Sequence, residues 1–417
     1  MPGKGFELRE GLSGELGDAL KESFDFDRLA ARLGRPRGER NAFEGVRGER
    51  PSGVEISDEP ERPSRTLHQL DIGGFGTDLA SQFNGQCNGY ALRLLEPNGT
   101  GLTMQSGKAR SAADGDLNWT SDVRMNVASV SKLVTAIAAR KALADAGVPG
   151  GTAIYPFLPL YWRRGPNVDQ VTFDMLLTHR SGFYSPVTDL ALYGDLKGQI
   201  ARGALLGVPL GSATYQNVNF GLFRILIPVV TGAIKVSLMA PSGLEDDHDR
   251  LWDALAIQGY HDYVQQHVFA PVQLSGAATA SAPGNALAYQ WPMPAAGWDS
   301  GDLSSTSATT GWHLTANELV RLLQAFTEGV IMPRADAWAM LDSGWGIDRS
   351  RPTKAGRYFL KDGRWESTNN QLEQAVVGLL PGGLPFSLLM NSQLGPDTPP
   401  LINIVATTIE AHIVAAR

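Results

Sequence analysis

The sequence predicts an α/β chain of the α+β type: an antiparallel sheet flanked by helices, with a mostly helical part inserted between its halves. Three observations carry this. Gly89 to Leu95 and Gly101 to Ser106 alternate in strand fashion around Glu96-Pro97-Asn98-Gly99, a hairpin turn. Three more apolar strands, Tyr358 to Gly363, Gln374 to Leu380 and Phe386 to Met390, follow one another near the far end. Between these groups the signals are helical. We therefore expect residues 67–126 and 291–417 to build the sheet part, residues 127–290 the helical part, and residues 1–66 an N-terminal extension, with a site at the junction.

Composition bounds the function. At 417 residues, 43% hydrophobic and 19% charged, the chain can bury a sizeable core. Its net charge of −7, without a basic block, argues against a nucleic-acid partner. The one cysteine, Cys87, builds no disulfide framework and is expected as a small core residue. No metal or organic cofactor is implied. The start, MPGKGFELREG, has no apolar core of a secretory signal. The longest apolar candidate for a membrane span, Phe220 to Leu238, is broken by Arg224, Pro228, Gly232 and Lys235. The expectation is a soluble cytoplasmic protein with no membrane partner.

Taken in order, Leu16, Leu20, Phe24 and Leu29 mark one or two short helices, and residues 35–66 are dense in charge, Pro and Gly. This extension is expected to be partly mobile and to serve as a wrapping arm or a homo-oligomer contact. Order is expected from Leu67. Gly73 to Gly76 (GGFG) lacks a following Lys-Ser/Thr and is taken as a turn, with a short helix over Thr77 to Phe83. A helix rich in Ala and Leu runs through Leu133 to Leu143. Val171 to Leu177 is a capped helix entry ending at Gly182. His179 and His313 are taken as structural histidines. Thr214 to Gly221 is a polar loop before the apolar run Leu222 to Val230. Residues 241–252, with His248, are an acidic loop. Gly259 to Phe269 is a helix, Thr315 caps another over Asn317 to Phe326, Trp345 to Ile347 is a short strand, and Leu401 to Ala416 is the last helix.

The chemistry centres on Ser129 and Lys132. Three residues apart at the start of a helix, they share one face. An amine beside a hydroxyl can take the proton that a serine must lose before attacking a carbonyl. The helix N-terminus favours a developing oxyanion, and an apolar helix would lower the lysine pKa. A serine at a helix start is most often only a cap, so partners elsewhere must carry the case. Tyr215 and Asn217, two apart before a helix, can point into one cleft, although alone they make a surface loop.

Ser129-x-x-Lys132, Tyr215-x-Asn217 and Lys361-Asp362-Gly363 stand in one order. That order resembles the serine β-lactamase and penicillin-binding-protein superfamily. The nearest branch is similar to class C β-lactamases, with its D-Ala-D-Ala carboxypeptidases and family VIII esterases. Leu176 to Gly182 resembles the LLTHTSG segment of that branch, Tyr263 to Val272 its helix before FxPLG, and Met390-Asn391-Ser392 its final strand. The resemblance covers about residues 80–415 and implies a β-lactamase/transpeptidase-like fold. It implies Ser129 as acylated nucleophile, Lys132 and Tyr215 sharing the proton, and Asn217 orienting Lys132 or the substrate. Lys361 would hold the tyrosine pKa down, and the N–H groups of Ser129 and Arg364, after Gly363, would form the oxyanion hole. Asp362 stands where a hydroxyl residue is usual, so efficient β-lactam hydrolysis is not expected. The function implied is a serine hydrolase acting on a small-molecule ester or amide, foremost an esterase on small or medium acyl esters. An amidase or D-amino-acid peptidase, an acyltransferase, or a non-catalytic binding protein on the same fold are the alternatives.

Overall fold

The computed structural model describes residues 46–48, 55–56, 67–96, 99–184, 191–205, 214–274, 276–292, 296–395 and 398–416. Its first elements are strands β1 (Val46–Gly48), β2 (Glu55–Ile56) and β3 (His68–Leu70), helix α1 (Ile72–Phe83), the hairpin β4 (Gly89–Leu95) and β5 (Gly101–Arg110), and the short β6 (Leu117–Asn118) and β7 (Met125–Asn126). Helices α2 (Ser131–Asp145), α3 (Phe173–Leu177), α4 (Tyr193–Arg202), α5 (Asn217–Gly221), α6 (Phe223–Val230) and α7 (Glu245–Val264) follow. The chain then returns through β8 (His313–Leu314), α8 (Ala316–Glu328), α9 (Arg334–Asp342), β9 (Arg349–Thr353), β10 (Gly356–Ser367), β11 (Leu372–Leu380) and β12 (Leu384–Met390), and ends with α10 (Leu401–Ala411) and β13 (Ile413–Ala415).

The main sheet runs β2-β9-β10-β11-β12-β4-β5-β6, with β1 added to β10. Every pairing is antiparallel except β2 on β9. Both sheet faces are covered, which is why β11, LEQAVVGLL, is buried throughout and reads as a nearly continuous apolar run. Alternate residues go to opposite layers. Phe359, Ala375, Val377 and Leu389 join the core around α2, whereas Tyr358, Leu360, Val376 and Leu388 join the core under α1 and α10. Helix α2 is buried nearly all round, so its sequence shows little amphipathic pattern.

Several expectations are corrected. GGFG is not a turn: Asp71 caps α1 through the N–H of Gly74, and the helix begins at Ile72. Gly76 sits under Leu102, where a Cβ would fall 2.0 Å from Leu102 Cδ2. The hairpin closes as expected through Glu96 and Gly99, although β5 runs on to Arg110. Helix α3 stops at Leu177, before Gly182, and His179 itself takes a left-handed conformation at φ 55°. The acidic loop is largely helix: Glu245, Asp246 and Asp247 lie in the first turn of α7, where their charge suits the macrodipole. His248 is buried and accepts the N–H of Ala240. Trp345 to Ile347 is a turn, with Gly344 and Gly346 at positive φ. The Lys-Asp-Gly lies in mid-strand, because β10 continues to Ser367. The last helix gives way to β13, which pairs with β3. Parts of the extension join the sheet as β1 and β2. The expected helices at Leu16 to Leu29, and Pro97 and Asn98 of the turn, lie outside the described residues.

Candidate active site

The site forms where the start of α2 meets β10. Ser129 lies in a 3-10 turn, Ala128–Val130, just ahead of α2. Ala128 is held at φ 48°, a conformation that costs an alanine on the order of 1 kcal/mol. A specific contact offsets this: Asn126 Oδ1 accepts the Ala128 N–H at 3.0 Å. Asn126 Nδ2 in turn donates to Glu373 at 2.8 Å. Glu373 is fully buried on β11, and burial pushes its carboxyl up to about 8, against the weaker pull of the Asn126 bond.

The expected residues converge. Lys132 Nζ donates to Ser129 Oγ at 2.5 Å and to the Thr309 carbonyl at 3.1 Å. Tyr215 Oη lies 2.5 Å from the same Oγ. The Lys132 ammonium stands 5.0 Å from the Tyr215 ring centre, and that of Lys361 5.6 Å from it. Asn217 opens α5 and is buried beside this group in sequence, two residues after Tyr215.

Tyr215 is seated by His179. The two rings stack at 4.3 Å and 26°. His179 Nδ1 accepts the Gln216 N–H at 3.3 Å and lies 3.1 Å from Asn219 Nδ2, while Ser181 Oγ donates to Asn219 Oδ1 at 2.6 Å. Complete burial, with the Lys132 and Lys361 ammonium charges, holds the imidazole well below its ordinary pKa and therefore neutral. His179 thus acts on the loop backbone, in keeping with its reading as a structural histidine. His313, pushed down to about 4 by burial, likewise bonds the Gly311 carbonyl.

Strand β10 forms the opposite wall. Gly363 faces the Ala128–Val130 turn so closely that a Cβ would fall 2.4 Å from the Val127 carbonyl oxygen and 3.2 Å from Ser129 N. In an antiparallel strand, alternate residues turn their N–H groups to opposite edges. The Asp362 N–H meets Asp348 on the edge away from β11, and this alternation gives Arg364 N–H the same edge. Lys361, expected to hold the tyrosine pKa down by its charge, is itself paired: Nζ donates to Asp348 Oδ2 and, at 2.7 Å, to the Asp362 carbonyl. Asp362 falls on the strand face of Tyr358 and Leu360, opposite Lys361 and Gly363.

Asp348, Glu373, Asn126 and Thr309 were not anticipated. Glu373 left a signal, an acid inside an apolar strand. Asp348 left none, since only the fold brings it to Lys361.

The family model described as Beta-lactamase matches residues 98–364, more than half of the chain. The chain belongs to the Beta-lactamase family. This is a family of serine hydrolases. Solved structures similar to the chain include the D-amino acid amidase from Ochrobactrum anthropi SV3 complexed with L-phenylalanine amide, at 18% identity and TM-score 0.56 over 81% of this chain and 95% of that one. The D-stereospecific amidohydrolase from Streptomyces sp. is 18% identical, with TM-score 0.58 over 82% and 98%. The octameric penicillin-binding protein homologue from Pyrococcus abyssi is 15% identical, with TM-score 0.60 over 81% and 76%. At these identities the likeness bears on the fold. No curated protein sequence matches the chain. No helix among the described residues is long and apolar enough to cross a membrane.

Proposed function

We propose that this protein hydrolyses small or medium acyl esters through an acyl-enzyme on Ser129. The observation that carries the reading is the single hydroxyl, Ser129 Oγ, held 2.5 Å from both Lys132 Nζ and Tyr215 Oη. Tyr215, as phenolate beside the Lys132 ammonium, takes the Oγ proton as Oγ attacks the ester carbonyl. The N–H groups of Ser129 and Arg364 receive the oxyanion. Collapse expels the alcohol, which takes the proton from Tyr215. Water then enters, gives its proton to Tyr215 as it attacks the acyl carbonyl, and collapse releases the acid while Ser129 Oγ takes that proton back from Tyr215. Asn217 orients Lys132 or the substrate. No residue of this scheme calls for a metal or organic cofactor.

A second reading, amide hydrolysis on D-amino acid derivatives, is favoured by the amidases among the similar structures, and rests on analogy of fold. The test is intact-protein mass after brief exposure to p-nitrophenyl acetate, a fluorophosphonate and a penicillin, with D- and L-phenylalanine amide assayed for turnover. We expect an adduct with the ester and the fluorophosphonate, lost in Ser129→Ala, and ester turnover reduced by at least ~10³-fold in that variant. D-amide turnover above ester turnover would install the second reading. Transfer of the acetyl group to an added alcohol in preference to water would make the protein an acyltransferase. No adduct from any reagent, in a folded protein, would leave a binding protein on this fold.

A further inference from the structure

We infer that Asp348 is a specificity-determining residue that fits this site to substrates without a carboxylate beside the scissile bond. The inference rests on the acyl-enzyme reading above and deepens it.

Asp348 lies one residue ahead of β9, and its own N–H donates to the Leu360 carbonyl at 3.0 Å, which fixes it against β10. Its Oδ2 accepts both the Lys361 ammonium and, at 3.0 Å, the Asp362 N–H. Lys361 and Asp348 are only 1% and 2% exposed. The cation that faces the Tyr215 ring is thus already matched by a carboxylate and tied down by the Asp362 carbonyl. The other cation of this stretch, Arg364, is paired as well: it lies 3.3 Å from Glu366 Oε2, itself 2% exposed.

A substrate carboxylate placed against the Lys361 face of this strand would meet a cation whose charge is already matched. The buried pair is neutral as a whole, so it offers the carboxylate no net attraction to offset the water it loses there. A neutral leaving group does not meet this penalty. Replacing Asp348 by Asn keeps a side-chain oxygen for the Asp362 N–H and for Lys361, but returns a net positive charge to the wall.

Phenyl acetate and 3-acetoxybenzoate deliver the same acetyl group to Ser129 and differ by one carboxylate on the leaving phenol. The acetylation rate of Ser129 by each, followed by intact mass and normalised to its rate with hydroxide, isolates that carboxylate. The wild type is expected to favour phenyl acetate by about tenfold or more, and Asp348→Asn to shift the ratio toward 3-acetoxybenzoate by a similar factor. The ratio is insensitive to a loss of active fraction in the variant. Equal rates in the wild type, or an unchanged ratio in folded Asp348→Asn, overturn the inference while the acyl-enzyme stands. If the variant does not fold, the wild-type ratio alone decides. Acetylation of Ser129 by neither ester overturns the acyl-enzyme reading and this inference with it.

Discussion

At the scale of single residues, the candidate site is built on one hydroxyl with an amine and a phenol beside it. Tyr215→Phe keeps the ring that stacks on His179 and removes the oxygen 2.5 Å from Ser129. We expect kcat for ester hydrolysis to fall by about 10²–10⁴-fold with the melting temperature nearly unchanged. Glu373 makes a different prediction. Its folded-state pKa is raised to about 8 by burial, with Asp299 adding to the rise. Between the ordinary glutamate range and about 8 the folded state holds a proton that the unfolded state has lost. Stability should therefore fall as pH rises through that window. Glu373→Gln retains an oxygen for Asn126 Nδ2 and cannot titrate. The variant should melt on the order of 5 °C above wild type at pH 8.5, with no gain at pH 5, as differential scanning calorimetry will show.

At the scale of elements, two contacts matter most. The first is β10 against the Ala128–Val130 turn. Gly363→Ala introduces a Cβ into backbone on three sides, at 2.4, 3.1 and 3.2 Å from Val127 O, Val130 N and Ser129 N. The turn must move, and with it Ser129. A displacement of this size should lower kcat/KM about 100-fold, measured with p-nitrophenyl acetate. The second is the capping box of α8, in which the Thr315 hydroxyl accepts the Glu318 N–H and Glu318 reaches back to the Thr315 N–H. Glu318 also pairs with Arg124, so this helix start is fastened to the segment leading into β7. Thr315→Ala should cost about 1 kcal/mol in urea unfolding, without altering the pH profile of turnover.

At the scale of the whole molecule, the sheet draws on both ends of the chain, and its integrity depends on polar groups that bind distant segments. Asn391 is the clearest case. Its Nδ2 donates to the carbonyls of Lys108, Ala109 and Leu287, and its Oδ1 accepts Trp119 Nε1. One buried amide thus joins β5, the segment after it, the return from the helical part and the end of β12. Asn391→Leu fills similar volume and leaves these groups unpaired. It should destabilise the fold by about 3 kcal/mol or more, read from denaturant midpoints.

The sequence by itself determined the class of fold, the strands near each end, and the three motifs that meet at the candidate site. Period-2 alternation, the spacing of Ser129 and Lys132, and cap residues such as Thr172 and Thr315 are local, and local chemistry is written in consecutive residues. It misjudged elements whose local signals oppose their surroundings. Gly73 to Gly76 is helical because Asp71 caps it and Leu102 covers it, and the acidic stretch from Glu245 is helical because it begins a long packed helix. Only the tertiary structure decided that Lys361 is spent on Asp348, that Glu373 stands behind Asn126, and that His179 seats Tyr215. These pairings join residues from separate elements, and their charge states follow from burial, a property that no stretch of sequence holds alone.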